Sequence, residues 1–497
     1  MAGIRSTLNI KNRMMFLSRY VSPAMLAASG ILVITIIALF VPPYIGMADN
    51  GDYYRILYSN GGYFNTPDYL SHYFGYFIKE YGIFQYFNEN KDMLFSSQSL
   101  FVKFSLWVNK LFDQKVFDIR VQGAIFTALY TVAMYLLVES ITWKAPRKYG
   151  YPIAIIAIFI FGDTGYTAYF NSLFSESVVL IMTVFVFASG LLLYRKRYND
   201  YVLMFIFLIS GLLLTTSKQQ NAPVGIIIAV MGVILVFVRK QNTYRYMMAS
   251  SLILLMIAGV GTYVLIPQDF VNINKYHAMT RGILMQSDDP EAALKQFDID
   301  KQYAVLNQTI YFEPYMTVDV DSEILKDNFY NKYGFVSILS YYVTHPSQAG
   351  KMLDIAAKNA FTIRPPAMGN YEKSAGKPFG TQTKFFSGYS LAKQALAPKT
   401  FGFITIWSVL IIGLYMPSFI EAAKRRQMRH MVRLPLIVMM IFMGLSGILV
   451  SIIGAGDADL SKHEFLFTAA FDMVTFVAVG DAIRHRLWQS EEDQGGD

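Results

Sequence analysis

The chain has 497 residues, of which 54% are apolar and only 16% charged, with a formal net charge of +8 and no cysteine. The missing cysteine excludes disulfides and thiolate metal sites. Apolar runs of roughly 17 to 22 residues, the length that crosses a hydrocarbon core of about 30 Å as helix, make this an all-α polytopic membrane protein.

The N-terminal segment carries Arg5, Lys11, Arg13 and Arg19 and runs into an apolar stretch, and Gly46-Met47-Ala48 loosely imitates a signal-peptide cut. The stretch reaches spanning length and Pro42-Pro43 ends it well before that cut, so it reads as a first span. Ten spans are predicted in all, over 24–41, 119–141, 151–168, 177–194, 201–216, 223–238, 247–266, 401–420, 434–454 and 465–482. Each should be helix, because lipid offers no partner to an open strand edge.

With the N-terminus inside, the inside connections collect Lys144, Arg147 and Lys148, then Arg195, Lys196 and Arg197, then Arg239, Lys240 and Arg245. Lys424, Arg425, Arg426, Arg429 and Arg433 follow, and Arg484 and Arg486 close the series. The short outside connections hold only Lys218 and Lys462, so the basic bias orients both termini to the cytoplasm. It also accounts for the net charge without a nucleic-acid partner.

Immediately after the first span comes Met47-Ala48-Asp49-Asn50-Gly51-Asp52-Tyr53-Tyr54-Arg55. It sets two carboxylates and a guanidinium at the membrane surface, where a lipid-linked headgroup would lie. A carboxylate there suits a general base and an arginine suits a phosphate, although a solvated turn has the same composition. The rest of the first outer segment, 42–118, is crowded with aromatics, as in Tyr69-Leu70-Ser71-His72-Tyr73-Phe74-Gly75-Tyr76-Phe77-Ile78-Lys79-Glu80-Tyr81. That density suits short helices lying in the headgroup layer.

The second long outer segment, 267–400, is more polar, has helical stretches at 289–297 and 346–361, and should fold as an α-rich cap. Its stretch from Arg364 to Phe386 is rich in Gly and Pro and reads as a mobile loop. The chain thus divides into an N-terminal seven-helix module (1–266, with the first outer loop 42–118), the outer segment 267–400, and a C-terminal three-helix module with its tail (401–497).

Ionisable residues near span ends usually pair, line a cavity or reach headgroups. On the outer side they are Asp49, Asp52 and Arg55 after span 1, Asp163 and Glu176 between spans 3 and 4, Lys218 followed by Gln219 after span 5, and Asp457, Asp459, Lys462, His463 and Glu464 between spans 9 and 10. Mixed carboxylates and cations suit a neutral polar group attached to an anion, as in a phosphosugar. Each also has a structural alternative: Lys218 snorkelling, Glu176 capping span 4, and the Asp457–Glu464 string forming a solvated hairpin tip.

A long interfacial first loop with carboxylates just past span 1, a second acid between spans 3 and 4 and a large outer segment after span 7 resemble the GT-C superfamily of membrane glycosyltransferases. The strings Ala48-Asp49-Asn50-Gly51-Asp52-Tyr53-Tyr54-Arg55, Asp289-Pro290-Glu291 with Leu294, and Leu460-Ser461-Lys462-His463-Glu464-Phe465-Leu466 resemble the bacterial WsfD-like hexose transferases of cell-surface glycan assembly. The resemblance implies a GT-C-like fold and a plasma-membrane enzyme with an extracytoplasmic site. It would move a hexose from a polyprenyl-phosphate donor to a glycan or cell-wall acceptor, with a donor-making enzyme and a flippase as partners.

It also implies Asp52 as catalytic base with Asp49 in reserve, and Glu176 as the second acid. Arg55, Lys218, Gln219, Lys462, His463, Asp163 and Arg364 would bind substrate. Position 462 is Lys where the resemblance leads one to expect Arg, which keeps the charge and loses the planar fork. A monophosphate donor needs no metal in this scheme, whereas a diphosphate donor would call for a divalent cation on Asp49, Asp52 and Glu176. The rival readings are a lipid-linked oligosaccharide transporter, and a GT-C polymerase or ligase with a diphosphate donor. Against a transporter stand the missing repeat of two halves and the expectation of no acids deep within the spans.

Overall fold

The computed structural model describes residues 21–488 apart from Pro67, 91–94, Pro314 and Met316. Of the basic residues that orient the chain, Arg5, Lys11, Arg13 and Arg19 lie outside that range.

Helices occupy all ten predicted positions. In chain order they are α1 (Pro23–Phe40), α2 (Arg120–Thr142), α3 (Arg147–Phe161), α4 (Glu176–Arg195), α5 (Asp200–Thr215), α6 (Ala222–Met231), α7 (Asn242–Val264), α8 (Phe401–Lys424), α9 (Arg433–Ala455) and α10 (Phe465–Ile483). Among the described residues eight spans are long and apolar enough to cross a membrane, or nine if one bent pair counts as a span. The shortfall from ten has local causes. The third predicted span breaks after Phe161 with a bend of 51°, because Asp163 accepts a hydrogen bond from the Gly165 amide and caps a new short helix, Thr164–Thr167. α5 has only 16 residues, whereas the sixth span, which finishes as a 3-10 stretch, Gly232–Phe237, still reaches spanning length.

α4 is apolar all round and buried along its whole length, so it forms the axis of the bundle, with α2, α5, α9 and α10 against it. At the basic end the arginines are largely spoken for. Asp200 takes Arg239 (2.5 Å) and Arg429 (2.9 Å), Asp481 takes Arg433 (3.5 Å) and Arg195 (3.6 Å), and Glu139 takes Arg197 (2.9 Å).

Several expectations are corrected. Acids do lie within a span: Asp472 and Asp481 are both on α10 and buried. Asp472 pairs with Lys393 Nζ at 2.5 Å and accepts from the Tyr166 hydroxyl. The apolar flanks of α10 hid these residues from a reading based on apolar runs.

The aromatic run 69–81 is not a set of interfacial helices. Only Tyr69–His72 is helical, and the run ends in β3 of a three-stranded antiparallel sheet made of β2 (Gly62–Tyr63), β3 (Glu80–Ile83) and β4 (Val116–Asp118). Tyr81 points from that sheet into the core. The helix that does show apolar residues outward is Ser97–Asn109, through Leu100, Phe104 and Trp107.

The stretch read as a mobile loop is instead fastened down. Its β5 (Met368–Tyr371) pairs antiparallel with β1 (Ile45–Met47), directly before Asp49. Gln382 donates to the carbonyls of Pro365 (2.7 Å) and Met368 (2.9 Å). Between Tyr276 and Phe361 the chain builds a second apolar core around Met279, Leu294, Phe329 and Tyr342, which merges with Ile404, Ile448 and Phe467 of α8, α9 and α10.

Candidate functional site

The turn after β1 is built by Asp49. Its carboxylate accepts from the amides of Gly51 (2.8 Å) and Tyr53 (3.1 Å), and its carbonyl accepts from the Phe74 amide. Gly51 has φ +99°, a conformation glycine adopts at no steric cost. The turn delivers Asp52 as the residue before the short helix Tyr53–Leu57, which carries Arg55 one turn later. Tyr53 locks the helix from below, donating to the Met47 carbonyl (2.9 Å) and packing on Phe174.

The opposing cation comes from the connection between α9 and α10. Gly456 there has φ +60° and lies so close to the backbone of Arg281 that a Cβ would stand 2.5 Å from its carbonyl carbon. The seat is held by Asp457, whose amide donates to the Arg281 carbonyl and whose carboxylate takes both Nε (2.6 Å) and Nη2 (2.9 Å) of the same arginine. Arg281 lies in a π-helical stretch, Ala278–Ile283. Beyond it a short helix, Leu460–His463, presents Lys462.

Lys462 Nζ lies 2.7 Å from Asp52 Oδ2 and 3.8 Å from Asp459 Oδ2, over the face of Phe174. Arg55 Nη1 holds the other Asp52 oxygen at 2.9 Å. Beside this group Lys218 contacts Glu176, the first residue of α4, which is fully buried. Three carboxylates (Asp52, Asp459, Glu176) and three cations (Lys462, Lys218, Arg55) thus converge from four separate chain segments.

Their electrostatics follow from burial and pairing. Burial alone would raise the Asp52 carboxyl, but the charges of Lys462 and Arg55 outweigh it and hold its pKa at about 2. Burial raises Asp459, with Lys462 opposing. Burial also lowers Lys218, with Glu176 opposing. Desolvation first, then the two lysines, depress His463 to about 3, so its ring is neutral. Its Nδ1 is 2.6 Å from Gln220 Oε1, while the Gln220 amide donates to the His463 carbonyl (2.5 Å) and clasps the two connections together. Glu464, fully buried and with no hydrogen-bond partner for either carboxylate oxygen among the described residues, is pushed by desolvation up to about 9.

Of the residues singled out in the sequence, Asp52, Arg55, Lys218, Glu176, Lys462 and His463 come together. Asp49 lies next to them but is 3% exposed and occupied by backbone amides, with His72 Nδ1 at 3.6 Å. Gln219 only opens the 3-10 turn Gln219–Asn221, and its neighbour Gln220 makes the contact to His463. Asp163 and Arg364 are elsewhere: Asp163 accepts from Gly165 (2.7 Å) and Ser390 (2.9 Å), and Arg364 donates to the Thr383 carbonyl (2.5 Å). Both bond to backbone of the 364–390 stretch, while Arg364 Nε is buried without a hydrogen-bond partner among the described residues. Asp49 is held by amides and Glu176 by Lys218, and among the described residues no group of three or more His, Cys, Asp or Glu is arranged to hold a metal ion.

Arg281 and Phe174 were missed. Arg281 carries no signal in sequence, because its partner Asp457 is 176 positions away. Phe174 was hidden among ordinary apolar residues.

A cavity of about 610 Å³ opens beside Asp49 and Arg55. A larger groove of about 860 Å³ lies between Gln268–His277 and Phe335–Thr344. Its walls hold no carboxylate, and helical spacing puts Gln268, Val271 and Lys275, which line it, opposite Phe270, which faces Arg55 at 5.2 Å. It lies apart from the charged cluster. No curated protein and no solved structure matches the chain. Residues 8–497 match the YfdI N-terminal transmembrane domain, so this multi-pass membrane protein belongs to that family.

Proposed function

We propose that the protein is a glycosyltransferase that moves a hexose from a polyprenyl-phosphate donor to a glycan or cell-wall acceptor at the outer face of the plasma membrane. The observation that carries this reading is Asp52, held between Lys462 and Arg55 at the end of the bundle opposite the arginine-rich one, with Lys218 and Glu176 alongside. The helix-end carboxylate and the paired lysines supply what a single displacement at an anomeric carbon requires.

In that step the acceptor hydroxyl gives its proton to Asp52 as its oxygen bonds to the anomeric carbon. The bond from that carbon to the phosphate oxygen breaks, the electron pair stays with the phosphate, and the anomeric centre inverts. Lys462 and Lys218 oppose the charge that grows on the leaving phosphate. While Lys462 is bound to Asp52 the carboxylate is a weak base. A donor phosphate competes for that lysine, and as Lys462 turns to it, Asp52 regains basicity where the acceptor proton must go. The leaving group is already a phosphate, so the step needs no general acid.

A second reading, a transporter of a lipid-linked saccharide, draws support from Asp472 and Lys393, an ion pair inside the bundle. The deciding experiment is transfer of radiolabelled hexose from purified polyprenyl-phosphate donors in proteoliposomes, with Asp52→Asn and added chelator beside the parent protein. Label leaving the donor only when Asp52 is intact supports the transferase. Movement of the lipid between leaflets without turnover overturns it in favour of transport.

A further inference from the structure

Beyond the donor-side cations, the first outer loop holds aromatic surface that the transfer step above does not use. The 610 Å³ cavity is lined by Asp49, Tyr54, Arg55, Ser59, Phe64 and Tyr69 among others. Its volume falls within the range of about 300–1,000 Å³ typical of small-molecule sites and exceeds one pyranose ring. Tyr54 and Tyr69 are 40% and 46% exposed at its edge. Tyr73, 39% exposed, stacks on Tyr69 with ring centres 5.2 Å apart. Arg55 lies under the rings of Tyr54, Phe270 and Phe312 at 5.2–5.8 Å. Tyrosines left open around a cavity whose floor carries a carboxylate, a guanidinium and a hydroxyl are amphipathic in the same way as a sugar. A pyranose has a face of C–H groups, which meets the negative face of an aromatic ring, and a rim of hydroxyls, which needs polar partners.

Position selects which sugar. Lys462, seated over the Phe174 ring, lies against one oxygen of Asp52, and Arg55 lies against the other. The cavity opens on the Arg55 side. An in-line displacement puts the attacking hydroxyl and the leaving phosphate on opposite sides of the anomeric carbon, with the base next to the attacking hydroxyl. We propose that this cavity is the acceptor subsite and takes a saccharide, stacked on Tyr54 and Tyr69 with its reactive hydroxyl turned to Asp52. The proposal rests on the glycosyl-transfer reading for the role of the site, but saccharide binding can be measured without any transfer.

The full-length protein in nanodiscs is titrated with a panel of di- and trisaccharides of glucose, galactose, mannose, rhamnose and N-acetylglucosamine, with binding read by saturation-transfer NMR. At least one member should bind saturably, with affinity at least tenfold weaker in Tyr54→Ala and Tyr69→Ala. Tyr69→Phe should retain it, and Tyr263→Ala, in the larger groove, should leave it unchanged. Both alanine variants alter exposed rings, the phenylalanine variant separates loss of the ring from loss of the hydroxyl, and an unchanged thermal unfolding of the alanine variants shows that the fold is kept. No saturable binding by any saccharide, or binding indifferent to Tyr54 and Tyr69, overturns the proposal. Hexose transfer measured separately shows whether the glycosyl-transfer reading fails instead: binding without transfer condemns that reading, and transfer with an acceptor KM unaffected by Tyr54→Ala and Tyr69→Ala condemns the subsite.

Discussion

Lys462 donates a 2.7 Å hydrogen bond to Asp52 across 410 residues of chain, tying the first loop to the last membrane hairpin. Asp52 is 29% exposed and Lys462 11%, so the pair lies at the rim of the site, where the charge of one partner sets the titration of the other. The carboxyl falls from its ordinary 3.8 to about 2. A depressed acid stabilises the fold fully above the ordinary value, and the contribution is lost as the pH falls from there towards 2. Lys462→Met removes the larger of the two opposing charges and leaves Arg55 alone against burial, so the pKa of Asp52 should rise. The expected result is an acid limb in the pH profile of transfer that moves up by about one unit or more in Lys462→Met. Lys462→Arg should stay near the parent. An unmoved limb in the methionine variant would mean that Lys462 does not govern the base.

Asp49 and Asp52, three positions apart, separate by what holds them. Asp49 satisfies two buried amides, so Asp49→Ala should cost about 1–3 kcal/mol of stability, the penalty for orphaned buried donors. Asp49→Asn keeps an acceptor oxygen and should retain most of both stability and transfer. Asp52→Asn should fold and bind donor almost as the parent does and lose transfer. Thermal unfolding in detergent together with the transfer assay reads all three, and an inactive but stable Asp49→Asn would exchange the roles of the two acids.

Much of the architecture was legible because a membrane helix announces itself through unbroken apolar length, and all ten positions are helical. The charged site was partly legible for the same reason, since a charge beside a span end is expensive and therefore informative. Asp52, Glu176, Lys218 and Lys462 were singled out this way, and they come together in the fold. What stayed hidden depends on tertiary pairing. Asp472 is silent in sequence because Lys393, which neutralises it, arrives from a different segment. β1 and β5 are three and four residues long and gain their register only from each other. Asp163 and Arg364 were singled out together with the cluster but lie away from it, because a charge that fixes backbone has the same sequence signature as one that faces a ligand.

Lys218 and Glu176 form the one pair in the site whose carboxylate has no exposure. Lys218→Ala leaves that carboxylate buried and uncompensated, a change that typically costs about 3–5 kcal/mol. Adding Glu176→Gln should restore much of that loss, because the stranded charge goes with it. Donor affinity should stay weak in both, because the ammonium is absent from both. Stability that is not regained in the double variant would show that Lys218 acts by packing. Donor affinity unchanged in Lys218→Ala would return the lysine to a headgroup-anchoring role.

Gly456 tests whether the hairpin seat matters to the site it presents. At φ +60° the backbone disfavours any other residue, and an added Cβ would meet the Arg281 backbone at 2.5–2.7 Å with no flexible side chain to yield. Gly456→Ala should therefore push the α9–α10 connection away from Arg281, weaken the bidentate pair to Asp457 and displace Lys462 relative to Asp52. The expected signature is a stability loss of about 1–3 kcal/mol with a larger fall in transfer than that loss explains at temperatures where the variant is folded. A cross-link by a short bifunctional thiol reagent between cysteines placed at Asn50 and Asp459, whose side-chain ends meet at 3.2 Å, reads the displacement directly. The cysteine pair should be bridged readily in the parent background and poorly with Gly456→Ala. Equal bridging in both would show that the hairpin keeps its place without the glycine.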